Sequence, residues 1–231
     1  MRYPNGKLTV FRNARQAALL APLIAVALTL CTSARADTVL ILGDSLSAAY
    51  GIERDEGWVH LLEERLEERA PGEHRVINAS ISGDTSAGGL ERLPRALAEH
   101  SPDVLLLELG GNDGLRGLPP ERLEENLAEM IEQGRDAGAR VGLLGIRIPP
   151  NYGKAYTEAL ESVYPTLAER YDIPLVPFML EGVALESDLM QDDGIHPNAL
   201  AQPQILDNVW PVVDELVTKA SPRTSDRASD G

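Results

Sequence analysis

The chain predicts one three-layer α/β/α domain built on a five-stranded parallel sheet. Short apolar runs of strand length alternate with longer stretches of helical periodicity. Val104 to Leu109 is nearly all apolar, as a strand covered on both faces must be. No internal repeat and no Pro/Gly/Ser-rich linker divides the chain.

The elements follow in order. Thr38 to Leu42 is a short apolar run that stops at Gly43, which marks the first strand. Trp58, Leu61, Leu62, Arg65 and Leu66 recur at helical spacing, and Pro71-Gly72 ends that helix. Arg75 to Asn78 is the second strand. Leu90, Leu93, Leu97 and Ala98 mark a helix that fades at Ser101-Pro102. Val104 to Leu109 is the third strand. Pro119-Pro120 opens a helix with Leu123, Leu127, Met130 and Ile131 on one side. Val141 to Ile148 is the fourth strand, and Tyr156, Leu160, Val163, Tyr164 and Leu167 form the next helix. Ile173 to Phe178 is a fifth strand broken by prolines. Asn198 to Lys219 closes the domain as a helix, with bends expected at Pro203 and Pro211.

The ends read differently from the middle. Lys7, Arg12 and Arg15 precede an apolar run, Ala17 to Leu30, too short to span a membrane, and Ala34-Arg35-Ala36 is a small-x-small cleavage signal. Residues 1–36 are therefore expected to be a secretory signal peptide, and 37–219 the folded domain. The polar tail 220–231 is expected to be disordered. Such a leader implies export to the periplasm or beyond in a bacterium, with no stable membrane anchor after cleavage. Cys31 is the single cysteine, so the exported chain keeps none. That excludes a disulfide framework, a thiol nucleophile and a cysteine metal site.

The exported part carries 16 basic against 36 acidic residues, a formal charge of −20. This excludes nucleic acid and anionic lipid as electrostatic partners. Only three lysines occur, a pattern that suits salty surroundings and that GC-rich coding would equally favour.

Four polar segments fall at the carboxyl ends of the expected strands, where open α/β sheets bind ligands. They are Gly43-Asp44-Ser45-Leu46-Ser47, Ser82-Gly83-Asp84, Gly110-Gly111-Asn112-Asp113 and Asp193-Gly194-Ile195-His196. Ser45 lies directly past strand one, unlike Ser47, Ser80, Ser82 and Ser86, and a serine hydroxyl needs a base to act as a nucleophile. Of the four histidines, His60 falls in a helix, His74 in a turn and His100 at a helix end, all on the surface. His196 sits in a loop where its ring can reach a cleft. Asp193, three residues earlier, is spaced to meet the Nδ1 side of that ring, with Asp192 as the rival. The oxyanion donors are the N–H groups of Ser45 and Gly83 and the side-chain amide of Asn112. The G-x-S-x-G elbow is absent, since Ser47 holds its last position. Metal chemistry is not expected: HExxH is missing, and Asp192, Asp193 and His196 are a meagre ligand set.

These segments, taken in order, resemble the four blocks of the SGNH (GDSL) hydrolase superfamily. Longer stretches sharpen the likeness: Asn78 to Ser86, Glu108 to Gly117 and Met190 to Asn198 are similar to its periplasmic multifunctional thioesterase/arylesterase/lysophospholipase/protease group. The resemblance covers residues 36 to 217. It implies a flavodoxin-like sheet, a serine acyl-enzyme, no cofactor and a loop at residues 113–120 that moves over a bound acyl chain. It also implies substrate contacts at Asp44, Asp113, Gly114, Arg147 and Tyr152.

The expected activity is hydrolysis of small acyl esters and thioesters with a hydrophobic acyl chain, by a monomer. Two alternatives stand beside it: a carbohydrate O-deacetylase with the same triad, and a non-catalytic periplasmic lipid-binding protein.

Overall fold

The computed structural model describes residues Ala36–Thr218. The expected signal peptide, but for Ala36, and the expected disordered tail lie outside the described residues.

Five strands form one parallel sheet: β1 (Asp37–Gly43), β2 (His74–Asn78), β3 (Val104–Glu108), β4 (Arg140–Leu144) and β5 (Leu175–Val176). Their order is β2-β1-β3-β4-β5, the flavodoxin-like arrangement, with its switch point between β1 and β3. The helices are α1 (Trp58–Arg69), α2 (Ser86–His100), α3 (Gly111–Leu115), α4 (Pro120–Asp136), α5 (Lys154–Tyr171) and α6 (Gln202–Thr218).

Side chains on a strand alternate between faces, and here the alternation sorts the layers. Leu40, Leu42, Leu105, Leu107 and Leu143 pack into one core with Leu93 of α2, Leu123 and Leu127 of α4 and Leu160 of α5. Val39, Ile41, Val104, Leu106 and Leu144 pack into the other with Leu62 of α1 and Ile205 and Val209 of α6. α1 and α6 are tied at their starts as well, since the Trp58 N–H donates to the buried Gln202 side chain at 3.0 Å. Pro203 stands in the first turn of α6, where its missing N–H has no helical partner to lose. Pro211 lies inside the same helix.

Several boundaries differ from those expected. The apolar run read as a strand to Ile148 leaves the sheet after Leu144. Ile146 and Ile148 stay buried, but they pack beyond the strand end rather than within it. The fifth strand shrinks to Leu175–Val176 because Pro174 and Pro177 have no N–H for a ladder. Their neighbourhood still pairs through carbonyls, with Leu143 N–H donating to Pro174 O at 3.0 Å and Gly145 N–H to Val176 O at 2.7 Å. His74, read as a turn residue, opens β2, and its partner across the ladder is Asp37. α3, a helix of five residues, was hidden behind Gly110-Gly111.

Among the described residues no helix is long and apolar enough to cross a membrane.

Leu106 is fully buried at the centre of the sheet, whereas Leu185 is 97% exposed. Leu106→Ala should cost roughly 2–5 kcal/mol of unfolding free energy and Leu185→Ala less than about 0.5 kcal/mol, as read from urea denaturation.

Candidate active site

The parallel pairing of β1 with β3 sets Gly43 opposite Glu108, so the chain leaves both strands at one edge and at one height. Ser45 lies in the turn after β1. Asp44 shapes that turn: its carboxylate accepts the Leu46 N–H at 3.1 Å and its carbonyl accepts the Ala48 N–H at 3.0 Å. His196 arrives from the loop after β5. That loop is a narrow hairpin, closed by an antiparallel bridge between Met190 and Pro197 and by the Gln191 N–H bond to His196 O at 2.8 Å.

The hairpin delivers the imidazole to the serine. His196 Nε2 is 2.9 Å from Ser45 Oγ, and Nδ1 is 2.6 Å from Asp193 Oδ2. A carboxylate at Nδ1 holds the ring proton there and leaves Nε2 to accept from the serine hydroxyl. Asp193 also receives the backbone N–H groups of Ile195 and His196, each at 2.9 Å. Desolvation pushes its carboxyl up, but those two N–H groups and the ring outweigh that and hold it down at about 2. Asp193, not Asp192, is therefore the carboxylate in contact with the ring. Two of the rival serines are occupied elsewhere, since Ser47 Oγ donates to Glu108 at 2.6 Å and Ser86 Oγ to Asp113 at 2.5 Å.

Asn112 stands in the first turn of α3, and its Nδ2 donates to Asp44 Oδ2 at 2.9 Å. Gly110 makes that turn with φ 125°, a value L-residues rarely adopt, and a Cβ there would collide with the Tyr164 hydroxyl. Gly83 has φ 81°, and the exposed Arg116 holds its carbonyl at 2.7 Å. The Arg116 N–H in turn donates to Asn112 O at 3.1 Å, so one residue spans both loops. Among the described residues neither the Ser45 nor the Gly83 N–H donates to another protein group.

A family model, GDSL-like Lipase/Acylhydrolase, matches residues 41–202, a stretch that holds all of these side chains. The chain belongs to this family. It is 53% identical over 193 residues to "Esterase TesA" of Pseudomonas aeruginosa, covering 83% of this chain and 96% of that one. It is 48% identical over 200 residues to "Thioesterase 1/protease 1/lysophospholipase L1" of Escherichia coli, covering 87% and 94%. Among solved structures, "Crystal Structure of TesA" superposes with a TM-score of 0.76 at 54% identity, covering 78% of this chain and 99% of that chain.

In this GDSL-like acylhydrolase the serine and histidine open onto a cavity of about 480 Å³. Its wall is mostly apolar, from Leu115, Ile146, Ile148, Phe178, Leu180 and Leu185. Asp44, Ser45, Asn112 and Arg147 also line it, whereas Gly83, Asp113, Gly114, Tyr152 and Asp193 do not. Asp113 is only 2% exposed, and Ser86 occupies both its carboxylate oxygens. Gly114 is buried against Ile148 and Leu160. Both residues pack and anchor the turn after β3. Tyr152 donates to Leu115 O at 3.0 Å, bracing the wall from outside. Arg147 lies over the Phe178 ring and pairs with Glu161 and Glu181.

Sequence reasoning missed three residues. Gln191 links the two halves of the site: its Nε2 donates to Tyr50 O at 2.7 Å and to Pro197 O at 2.9 Å. Tyr50 itself lies 4.4 Å from the His196 ring, centroid to centroid. Glu108 is fully buried, and its Oε2 accepts both the Asp44 N–H and the Ser47 hydroxyl. Its signal was visible as one carboxylate at the end of an apolar strand.

Burial is the chief force on Asp44, lifting its carboxyl from 3.8 to about 6 against the bonds from Leu46 and Asn112. Folding thus favours its protonated form. That contribution to stability is full below pH 3.8 and is lost as pH rises to about 6. Asp44→Asn does not titrate. The wild type should lose about 3 kcal/mol relative to that variant across this window, measured by urea unfolding at a series of pH values.

Proposed function

We propose that this protein is a serine hydrolase of acyl esters and thioesters, with Ser45 as nucleophile, His196 as base and Asp193 as the group that orients it. The reading is carried by the 2.9 Å contact between His196 Nε2 and Ser45 Oγ at the mouth of an apolar cavity. Ser45 Oγ attacks the acyl carbonyl carbon as its proton passes to Nε2. The charge that develops on the carbonyl oxygen is taken by the Ser45 and Gly83 N–H groups and the Asn112 amide. His196 then returns the proton to the departing alcohol or thiol, leaving an acyl-serine. Water, deprotonated by the same ring, attacks that ester; the bond from the acyl carbon to Ser45 Oγ breaks, His196 returns the proton to Oγ, and the acid leaves.

The names of the relatives support the substrate class, since one is called an esterase and another a thioesterase and lysophospholipase. The wall of leucine, isoleucine and phenylalanine suits a hydrocarbon acyl chain better than a sugar. Arg147, at the rim of that wall, is a contact for the polar part of a substrate. Residues 1–36 would direct the chain to the periplasm, and residues 37–219 would act there as a monomeric domain without a membrane anchor. Cleavage before Asp37 would remove no part of the sheet, because β1 starts at that residue.

Ser45→Ala should abolish turnover of p-nitrophenyl octanoate and labelling by a fluorophosphonate while leaving the circular dichroism unchanged. Retained turnover would refute the assignment of the nucleophile. Asn112→Ala should lower kcat by about 10²–10³ with little change in KM, because its contact matters chiefly in the transition state. In the wild type, octanoyl esters should exceed acetyl esters in kcat/KM. The reverse order would favour the deacetylase reading.

A further inference from the structure

Beneath the nucleophile turn lies a pair of buried carboxyl groups that the acyl-transfer steps do not use. Glu108 is 0% exposed and Asp44 is 2% exposed. The Asp44 N–H donates to Glu108 Oε2 at 3.1 Å, which sets the two carboxyl groups side by side, and each bears on the ionisation of the other. Two carboxylates in one dry site repel, and neither can donate to the other unless one carries a proton.

The other bonds tell which one carries it. Asp44 accepts twice from outside the pair, Oδ1 from the Leu46 N–H at 3.1 Å and Oδ2 from the Asn112 amide at 2.9 Å. Both of its oxygens therefore behave as acceptors. On Glu108 only Oε2 receives donors, the Asp44 N–H at 3.1 Å and the Ser47 hydroxyl at 2.6 Å. Its Oε1 is buried and finds no hydrogen-bond partner. A buried oxygen that nothing donates to is where a proton satisfies the site.

We propose that Glu108 is a neutral acid that donates to Asp44, and that the pair acts as a positioning device which aims the Asn112 amide at the oxyanion. This rests on the acyl-transfer reading above, in which Asn112 binds that oxygen. The amide nitrogen has two hydrogens. Asp44 takes one, which fixes the plane of the amide, and the second is left for the cavity that Asn112 lines. The proton also keeps the site to one negative charge. A second carboxylate under the turn would oppose the charge that forms on the substrate.

Electrostatics agree with the assignment. Burial drives Glu108 well above the carboxylate range, and the charge of Asp44 adds to it, whereas Asp44 rises only to about 6. A carboxylic acid held neutral so that it can donate is an established device of oxyanion sites.

The test compares Glu108→Gln, Glu108→Leu and Asp44→Asn with the wild type, with Asn112→Ala and with Ser45→Ala. A glutamine amide can donate where a protonated glutamate does, so Glu108→Gln should keep kcat within about fivefold of wild type. Glu108→Leu and Asp44→Asn should lose about 10-fold to 10²-fold in kcat with KM nearly unchanged, as expected for an oxyanion donor set adrift. An infrared spectrum near neutral pH should contain a carboxylic-acid C=O stretch that disappears in Glu108→Gln, a reading available even if Glu108→Leu does not fold. Absence of that band, or a Glu108→Gln enzyme that folds but is as slow as the Asn112→Ala enzyme, overturns the neutral acid. Full kcat in Asp44→Asn overturns the positioning role. Either failure beside an inactive Ser45→Ala leaves the nucleophile in place, whereas an active Ser45→Ala removes the reading on which the pair depends.

Discussion

The pairing of β1 with β3 is the constraint from which the rest follows. These strands lie 61 or more residues apart along the chain, yet their register fixes Val39 against Val104 and Gly43 against Glu108. Parallel neighbours send their next segments out over the same edge of the sheet. The serine turn and the asparagine turn are thus side by side before any side chain acts. A slip of one residue would turn Leu40, Leu42, Leu105 and Leu107 toward the wrong layer, so two hydrophobic cores enforce the register together. The geometry of the candidate site is a by-product of apolar packing, and the polar bonds only refine it.

Much of this was legible in the sequence because the informative residues are local. Ser45, Asn112 and His196 each sit in a short segment whose strand end or glycines announce a turn, and the strand order then brings the segments to one edge. Asp193 was readable by its spacing from His196. The residues that escaped notice act at long range. Gln191 binds the backbone of Tyr50, 141 positions away, and no periodicity encodes that. Glu108 looks like part of a strand until one asks what a charge could meet there. Strand ends misled for a related reason: Ile146 and Ile148 are as apolar as a strand requires, but they join the core beyond the end of β4.

Charge is divided sharply between surface and site. Residues 37–231 are strongly acidic, and most of the described carboxylates stand in water or in exposed ion pairs, where each contributes little. Four acidic side chains around the site differ. Asp193 is bound by three N–H groups and stays ionised. Asp113 closes the start of α2 through Ser86. Asp44 and its buried neighbour support the amide of Asn112. The number of acidic residues is uninformative about function, while the donors each one meets are decisive.

The shortness of β5 has an effect on how the molecule meets its own copies. An outermost strand normally offers a row of free N–H and C=O groups on which another chain can lengthen the sheet. Here that margin is two residues long and flanked by Pro174 and Pro177, whose rings carry no hydrogen to share. On this side the sheet has no template to extend, which guards a crowded solution of unfolding and refolding molecules against fibrous growth.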